Sequence, residues 1–358
     1  MRGLAGRFIE SRSGSIAPIL IAIMIPLITA VGFSVDYTSA VQTRSAEQAA
    51  LDAAILSITT MDTASTKPQR QVVLQDTYRE NGGQGTATLN SFDVSANGTA
   101  TAQASASFAM KTVFMQIARI PTVAIGVTSA VNKAPALVEA TFKVTGVSGY
   151  WSKTMTLYGT QFGSTLGAKP LMTIKYVYGG GTDPKGYGTT TVSKIDSLGV
   201  ATVAQTQVCK VGKNPPTGVT LNTDKFGTNY YCVDTMSPGN AAGASIDVSQ
   251  MSGLTLQMDV PSGNPKKLMS NDPATSNRLY NGLRSDPTNP QSPINYNEIA
   301  TGQIVDIFSI VPCGTTGYQA WEDGGNAVPA PVSNADFFYN VTGMCDFNKR
   351  PNNTRLTQ

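Results

Sequence analysis

The sequence predicts an α+β chain: one long amino-terminal membrane-spanning helix with a small sheet, followed by a mainly antiparallel β-sandwich domain. Three observations predict it. Residues 16–35, IAPILIAIMIPLITAVGFSV, carry no charge. Residues 36–60 are rich in Ala and contain neither Gly nor Pro, so the helix is expected to run on past the apolar stretch. Beyond Gly85 the pattern changes to short alternating runs separated by Gly, Pro or Asn, the mark of strands and turns.

At about 1.5 Å of rise per residue, the stretch from Ile16 to Val35 makes a helix of roughly 30 Å, the thickness of a bilayer's hydrocarbon core. Its Ile, Leu, Val and Phe residues contribute at most about −3 to −6 kcal/mol to insertion. Pro18 falls in the first turn, where a missing N–H costs nothing, and Pro26 falls mid-span, where a kink is expected. Arg2, Arg7 and Arg12 precede the span against the single Glu10, and Asp36 follows it. The basic side stays in the cytoplasm, so residues 1–15 are read as a cytoplasmic segment, 16–36 as the span, and the remainder as periplasmic or extracellular. Cleavage as a signal peptide after Ala30-Val31-Gly32 is the weaker alternative, because the run is long for a signal peptide.

Composition narrows the chemistry. Of 358 residues only 14 % are charged, with 34 Gly and 20 Pro, which suits an exported β-rich protein with many turns. A net charge of +3, scattered along the chain, gives no reason to expect nucleic acid. Histidine is absent, which removes Ser-His and Cys-His catalysis and histidine metal ligands, and no Ser-x-x-Lys occurs. An exported hydrolase would have to draw on acids such as Asp306, Glu322, Asp323 and Asp336. No enzyme activity and no cofactor are expected.

The four cysteines, Cys209, Cys232, Cys313 and Cys345, form no C-x-x-C, so two disulfides are expected in an exported domain rather than zinc. Three connectivities are open. Nearest-neighbour closure, Cys209 with Cys232 and Cys313 with Cys345, keeps each bridge local. Four free thiols are the alternative.

Along the chain, a long helix is expected from about Ile16 to Thr59, with a small-residue face at Ala46, Ala49, Ala50, Ala53, Ala54 and Ser57 that suits close packing on the chain's own sheet or on a neighbouring subunit. A second helix is expected from Thr66 to Asn81, entered at Pro68 and stopped by Gly82-Gly83. Asn97-Gly98 between alternating runs signals a hairpin, Met110 to Ile120 suggests a short helix, and Pro121 to Val131 a strand.

The order Arg-Ser-Gly (12–14), a proline-bearing span, Val-Asp-Tyr (35–37), Arg44-Ser45 and QAALDAA (48–54), continued by FMQIARIPTVAIGVTSAV (114–131), resembles the TadG-like amino-terminal module of Flp (tight adherence) pilus-assembly proteins over about residues 7–133. The resemblance implies a small pilin-like sheet packed on the long helix within residues 37–133. It also implies a structural role in pilus assembly, inner-membrane lipid and other pilus-assembly subunits as partners, and a possible homo-oligomer. Two departures matter. If a prepilin peptidase cut at Gly14, Ile19 would stand where such substrates carry a glutamate, so an uncleaved anchor is expected. Many relatives continue into a von Willebrand factor A domain, but aligning Ser148-Gly149 with its metal motif puts Gly146 and Tyr150 where oxygen ligands are needed. Asp93 and Asp247 begin half-motifs that end in Asn97 and Met251. No metal site is expected.

Residues 134–358 read instead as an exported β-rich domain, with strands at 136–260 spaced for an antiparallel sandwich and turns at 179–184 and 237–240. A long loop is expected at 262–298, pinned by Leu268, Met269, Leu279, Tyr280, Leu283 and Tyr296, then strands at 299–312 and 335–345 and a frayed tail from Lys349. Four features invite a functional reading. Trp321 to Gly325 could hold a cation or partner, against an ordinary turn with Glu322 solvated. Tyr176, Tyr178, Tyr187, Phe226, Tyr230 and Tyr231 could form a sugar or protein surface, against cross-strand pairing. Asp36 and Asp52 are candidate assembly contacts, each able to form an intersubunit ion pair, against a solvated helix charge. An envelope adhesin whose β domain binds a sugar or protein is the alternative to the assembly role.

Overall fold

A computed structural model describes residues 17–180, 187–223, 227–325, 330–347 and 354–357. The expected cytoplasmic segment 1–15, most of the turn at 179–184, Phe226 and the start of the expected tail lie outside the described residues. In chain order come α1 (Ala17–Ile58), α2 (Lys67–Glu80), β1 (Thr86–Val94), β2 (Ala100–Lys111) and β3 (Thr122–Lys133). Then follow β4 (Ala136–Val147), β5 (Lys153–Gln161), β6 (Lys169–Tyr178), β7 (Gly188–Ile195), β8 (Ala201–Val211), β9 (Asn222–Thr223) and β10 (Asn229–Met236). The last are β11 (Ala244–Asp247), β12 (Met251–Asp259), β13 (Lys267–Met269), β14 (Leu279–Arg284), β15 (Ile294–Glu298), β16 (Thr316–Trp321), β17 (Phe337–Asp346) and β18 (Thr354–Leu356).

The chain divides into two compact units. One comprises the described residues of Met1–Val94, Ala100–Lys133 and Pro351–Gln358; the other Ser95–Thr99 and Ala134–Arg350.

In the first unit α1 is 42 residues long, with Pro26 inside it. Its apolar half is exposed all round, with Ile19, Ile23, Leu27 and Val31 each between 59 % and 63 % exposed. A soluble core helix would bury one of these faces; this half is long and apolar enough to cross a membrane, and among the described residues little of it is buried. Thr29 and Thr38 donate their hydroxyls back to the Ile25 and Ser34 carbonyls, both at 2.8 Å, which satisfies those two donors within the helix.

From Glu47 the same helix acquires a buried face: Glu47, Ala50, Leu51, Ala54, Ile55 and Ile58, at i, i+3, i+4, i+7, i+8 and i+11. This corrects the expected small-residue face, since Ala46 and Ala49 are exposed and the stripe turns on Leu51, Ile55 and Ile58. The face packs with Leu74 and Tyr78 of α2 on Ala87, Leu89, Ala102, Ala104, Ala106, Val127 and Val131 of the sheet. The sheet order is β1-β2-β3-β18, every pair antiparallel. Strand β2 presents Ala at 100, 102, 104 and 106 inward and Thr101, Gln103, Ser105 and Ser107 outward, so the helix approaches the sheet closely. Helix α2 begins with a capping box in which Gln69 Oε1 accepts from the Thr66 N–H at 2.8 Å. The Met110–Ile120 segment is not the expected helix: β2 pairs with β3 as far as Lys111↔Thr122, leaving a single 3-10 turn at Met115–Ala118.

The second unit is a sandwich of two antiparallel sheets, an eight-stranded one of order β13-β12-β5-β6-β7-β8-β10-β9 and a six-stranded one of order β11-β4-β17-β16-β14-β15. Alternate residues fill one core: Met155 and Leu157 of β5, Ile174 of β6 and Leu256 of β12 from the larger sheet, Phe142 of β4, Trp321 of β16 and Val341 of β17 from the smaller. Gln205 bridges the layers. Its Oε1 accepts from the Val144 N–H at 3.0 Å and its Nε2 donates to the Val144 carbonyl at 2.9 Å, satisfying backbone groups that would otherwise be buried unpaired.

Two expectations are corrected here. Residues 262–298 hold three strands, with β14 and β15 as a hairpin, and Leu268, Leu279 and Tyr280 are fully buried while Leu283 is exposed. Residues 299–312 carry a 3-10 turn instead of a strand, because the Asp306 carboxylate accepts from both the Phe308 and Leu254 N–H groups and folds the segment onto β12.

Candidate functional site

The helix that is expected to cross the membrane is also the spine of the first unit, and three sets of contacts hold it there. At the carboxyl-terminal end of the apolar stretch Asp36 is buried, and its carboxylate accepts the backbone N–H groups of Val113, Phe114 and Met115 at 3.0, 2.9 and 2.6 Å. One turn earlier Gly32 faces the Phe114 side chain so closely that a Cβ would lie 2.6 Å from the ring. Only a residue without a side chain leaves that space.

Midway along, Glu47 is buried, accepting from the Tyr78 hydroxyl and, at 3.0 Å, from the Gln84 N–H. Asp52 accepts from Ser129 Oγ at 2.5 Å and Gln48 Nε2 at 2.9 Å. At the carboxyl end, where carbonyls lack helical partners, two cations arrive: Arg70 donates to the Ile58 and Asp62 carbonyls and Lys133 to the Thr59 carbonyl at 3.1 Å. The helix dipole favours positive charge at that end. Burial lowers the pKa of Arg70, partly offset by Asp62, and its guanidinium lies 4.1 Å from the centre of the Phe92 ring.

Asp36 and Asp52 are therefore not solvated helix charges; both carboxylates hold the chain's own backbone or side chains. Gly32, Glu47, Arg70 and Lys133 carry the same task and escaped the sequence reading. Gly32 and Asp36 stand at i and i+4 on one helical face, a spacing visible in the sequence, whereas their partner turn lies about eighty residues away.

In the β unit both disulfides pair nearest neighbours, Cys209–Cys232 and Cys313–Cys345. The first joins directly opposed residues of β8 and β10. The second ties the start of the β16 segment to β17. Trp321 to Gly325 does not form a solvated turn. Glu322 is fully buried and pairs with Arg278, while Asp323 pairs with the buried Lys153 at 2.5 Å. Together with Asp336 these acids bring carboxylate oxygens within 4.8 Å of one another. Lys153 also donates to the Ser148 carbonyl at 3.0 Å, and the Gly324 N–H donates to Glu322 at 2.9 Å. Gly149, at φ +108°, passes against both Lys153 Nζ and Asp336, an approach and a backbone angle that suit glycine. With two cations already seated among three acids, the cluster works as an internal ion network that joins β5 and the 3-10 turn Ser276–Arg278 to the segment that follows β16. Asp306 takes no part in it.

The described aromatic residues take different environments. Tyr176 is buried in the core, Tyr187 stacks on Tyr230 with ring centres 4.8 Å apart, and Tyr178 meets Tyr150 edge-on.

The chain was also compared with known proteins. No curated protein and no solved structure matches it. One family model does: Tad, the Flp pilus-assembly TadE/G-like model, matches residues 14–57. That interval lies inside the resemblance read over 7–133 and contains Gly32, Asp36, Glu47 and Asp52. It ends one residue before α1 does. Residues 14–57, the apolar stretch and its sheet-docked continuation, are thus similar to the TadE/G-like model of Flp pilus assembly.

Proposed function

We propose that the protein is a structural, non-catalytic component of a Flp-type (tight adherence) pilus assembly, anchored in the inner membrane by the apolar half of α1. The amino end faces the cytoplasm and both folded units stand on the opposite side. The observation that carries this reading is the coincidence of the TadE/G-like match with all but the last residue of α1. Arg2, Arg7 and Arg12 before the span support the orientation, and two disulfides support an oxidising compartment. The partners are other pilus-assembly subunits, with further copies of this chain among the candidates.

Deleting the gene and restoring it with the full chain, or with a chain carrying Ile23→Arg and Leu27→Arg in the span, tests the reading. Fibres counted by electron microscopy should disappear on deletion and return only with the unaltered chain. Normal fibres in the deletion strain would contradict an assembly role. Labelling of Thr101→Cys by an impermeant maleimide in intact spheroplasts should succeed; labelling only after permeabilisation would reverse the orientation.

A second reading, an envelope adhesin, has one observation in its favour: a groove of about 550 Å³ in the β unit, lined in part by Lys169, Lys194, Asp196, Leu198 and Asp247. Saturable binding of a sugar or protein that is lost in Leu198→Asp would favour it.

A further inference from the structure

The connection between β2 and β3 has a composition that water does not explain. Val113 is 63 %, Ile117 74 % and Ile120 42 % exposed, three large apolar side chains on one short turn. The turn is built, not loose. Thr112 closes its base, donating its N–H to the Pro121 carbonyl at 3.0 Å and its hydroxyl to the Ile120 carbonyl at 2.5 Å. Arg119 closes the 3-10 turn in a left-handed conformation, φ 63°, with its N–H on the Gln116 carbonyl at 2.9 Å.

Its seat identifies what covers it. Asp36 grips the backbone of residues 113–115 and Gly32 receives Phe114, so the turn is fixed beside residues 32–36. Those residues end the uncharged stretch that spans roughly 30 Å. When that stretch lies in a bilayer, the turn lies at the boundary between acyl chains and headgroups. Its exposed apolar side chains then continue the apolar surface of Ile28, Val31 and Val35, themselves between 47 % and 59 % exposed. Lys111 and Arg119 are exposed at its rim, and no acid occurs between Val94 and Val138. Apolar side chains with basic neighbours are the composition of an element that lies in an anionic lipid interface.

We infer that the 113–120 turn is a second membrane contact, an interfacial anchor whose Val113, Ile117 and Ile120 insert among the lipid headgroups and upper acyl chains, with Lys111 and Arg119 on acidic phosphates. The inference rests on the reading that α1 spans the membrane. Asp36 and Gly32 are positioning residues: they set the height at which the turn meets the lipid and so fix the sheet unit over the bilayer.

All four cysteines are paired, so single cysteines introduced into the full chain can be labelled cleanly. The chain carrying Ile117→Cys, Ile28→Cys or Thr101→Cys is labelled with nitrobenzoxadiazole. It is then reconstituted in vesicles of phosphatidylcholine and phosphatidylglycerol containing lipids spin-labelled at a shallow or a deep carbon. Thr101 stands at the far end of β2, ten residues from Lys111. The probe at 117 should be quenched at least about twofold more by the shallow than by the deep label, the probe at 28 more by the deep label, and the probe at 101 by neither. Adding Asp36→Ala should release the probe at 117 while leaving quenching at 28 intact. Quenching at 28 with a probe at 117 that behaves like the one at 101 overturns the inference alone. A probe at 117 that is shielded from aqueous iodide yet untouched by either lipid overturns it in favour of a protein neighbour. Absence of quenching at 28 overturns the spanning reading and the inference together.

Discussion

In the α+β unit a sheet face made of Ala87, Ala102, Ala104 and Ala106 is covered by a helix through Ala50, Leu51, Ala54 and Ile55, and the polar groups in that interface cap or clamp the helix. In the β unit large side chains such as Phe142, Trp321 and Tyr339 fill the space between two sheets, and disulfides and buried ion pairs tie the strands. The first arrangement is organised on one element, α1, which runs as a single helix from its apolar half to the sheet, with the clamps aimed at it. The second locks many short strands to one another and leaves no single element in charge. Stability in the first unit therefore depends on helix packing, and in the second on cross-links and paired charge.

The comparison can be broken most forcefully by reduction. On a chain-entropy estimate each disulfide, closing loops of 23 and 32 residues, contributes about 3 to 4 kcal/mol. Replacing all four cysteines by Ser should weaken the β unit by roughly twice that and leave the α+β unit unchanged, as read by hydrogen exchange of the two units in the full chain. Equal loss in both units would dissolve the distinction.

Removing one member of the ion network comes next. Lys153→Met strands Asp323 beside Glu322 and Asp336 and should cost about 3 to 5 kcal/mol in the β unit, with Lys153→Met plus Asp323→Leu costing clearly less. If the double substitution costs more than the single, the pairing account is wrong.

In the α+β unit the corresponding probe is Ile55→Ala, which opens a cavity at a fully buried site and should cost about 2 to 5 kcal/mol, whereas Ala46→Leu on the exposed face should change stability by under about 0.5 kcal/mol. Reversed sensitivities would restore the small-residue face at Ala46 and Ala49 as the docking surface.

The smallest effect concerns alkaline pH. Burial, and then Glu298 and Glu322, push Tyr280 up to about 12, and burial also raises Tyr176 and Tyr339. An unfolded tyrosine ionises near 10, so the unfolded chain loses protons first as pH rises. The β unit should hold its full share of this stability below about pH 10 and lose it progressively toward pH 12. Denaturant midpoints that stay flat from pH 9 to 12 would show these phenols to be solvent-accessible.

Much of the fold was legible. The uncharged run, the Gly- and Pro-free continuation, the Lys67-Pro68 entry to α2, the Asn97-Gly98 turn and the nearest-neighbour disulfides all depend on residues close in sequence. What escaped depends on distance or on competition. Leu51, Ile55 and Ile58 were overlooked because the alanines around them made a second face at the same period. The proline-rich 262–298 segment hid a hairpin because its prolines sit between strands. Lys153 and Asp323 lie 170 residues apart, and no local pattern announces that they will meet. For the candidate site, Asp36 was visible as the first charge after the span, but its partner, the backbone of a distant turn, was not.

The central claim is that α1 is one helix with two environments. A spin-label accessibility scan from residue 19 to residue 58 of the full chain in bilayers tests it most directly. Collision with oxygen should be high on every face from Ile19 to Val31. It should then give way to a 3.6-residue alternation from Glu47 to Ile58, with minima at Leu51, Ile55 and Ile58. The same alternation across Ile19 to Val31 would mean that the apolar half is covered by protein, and would contradict the account.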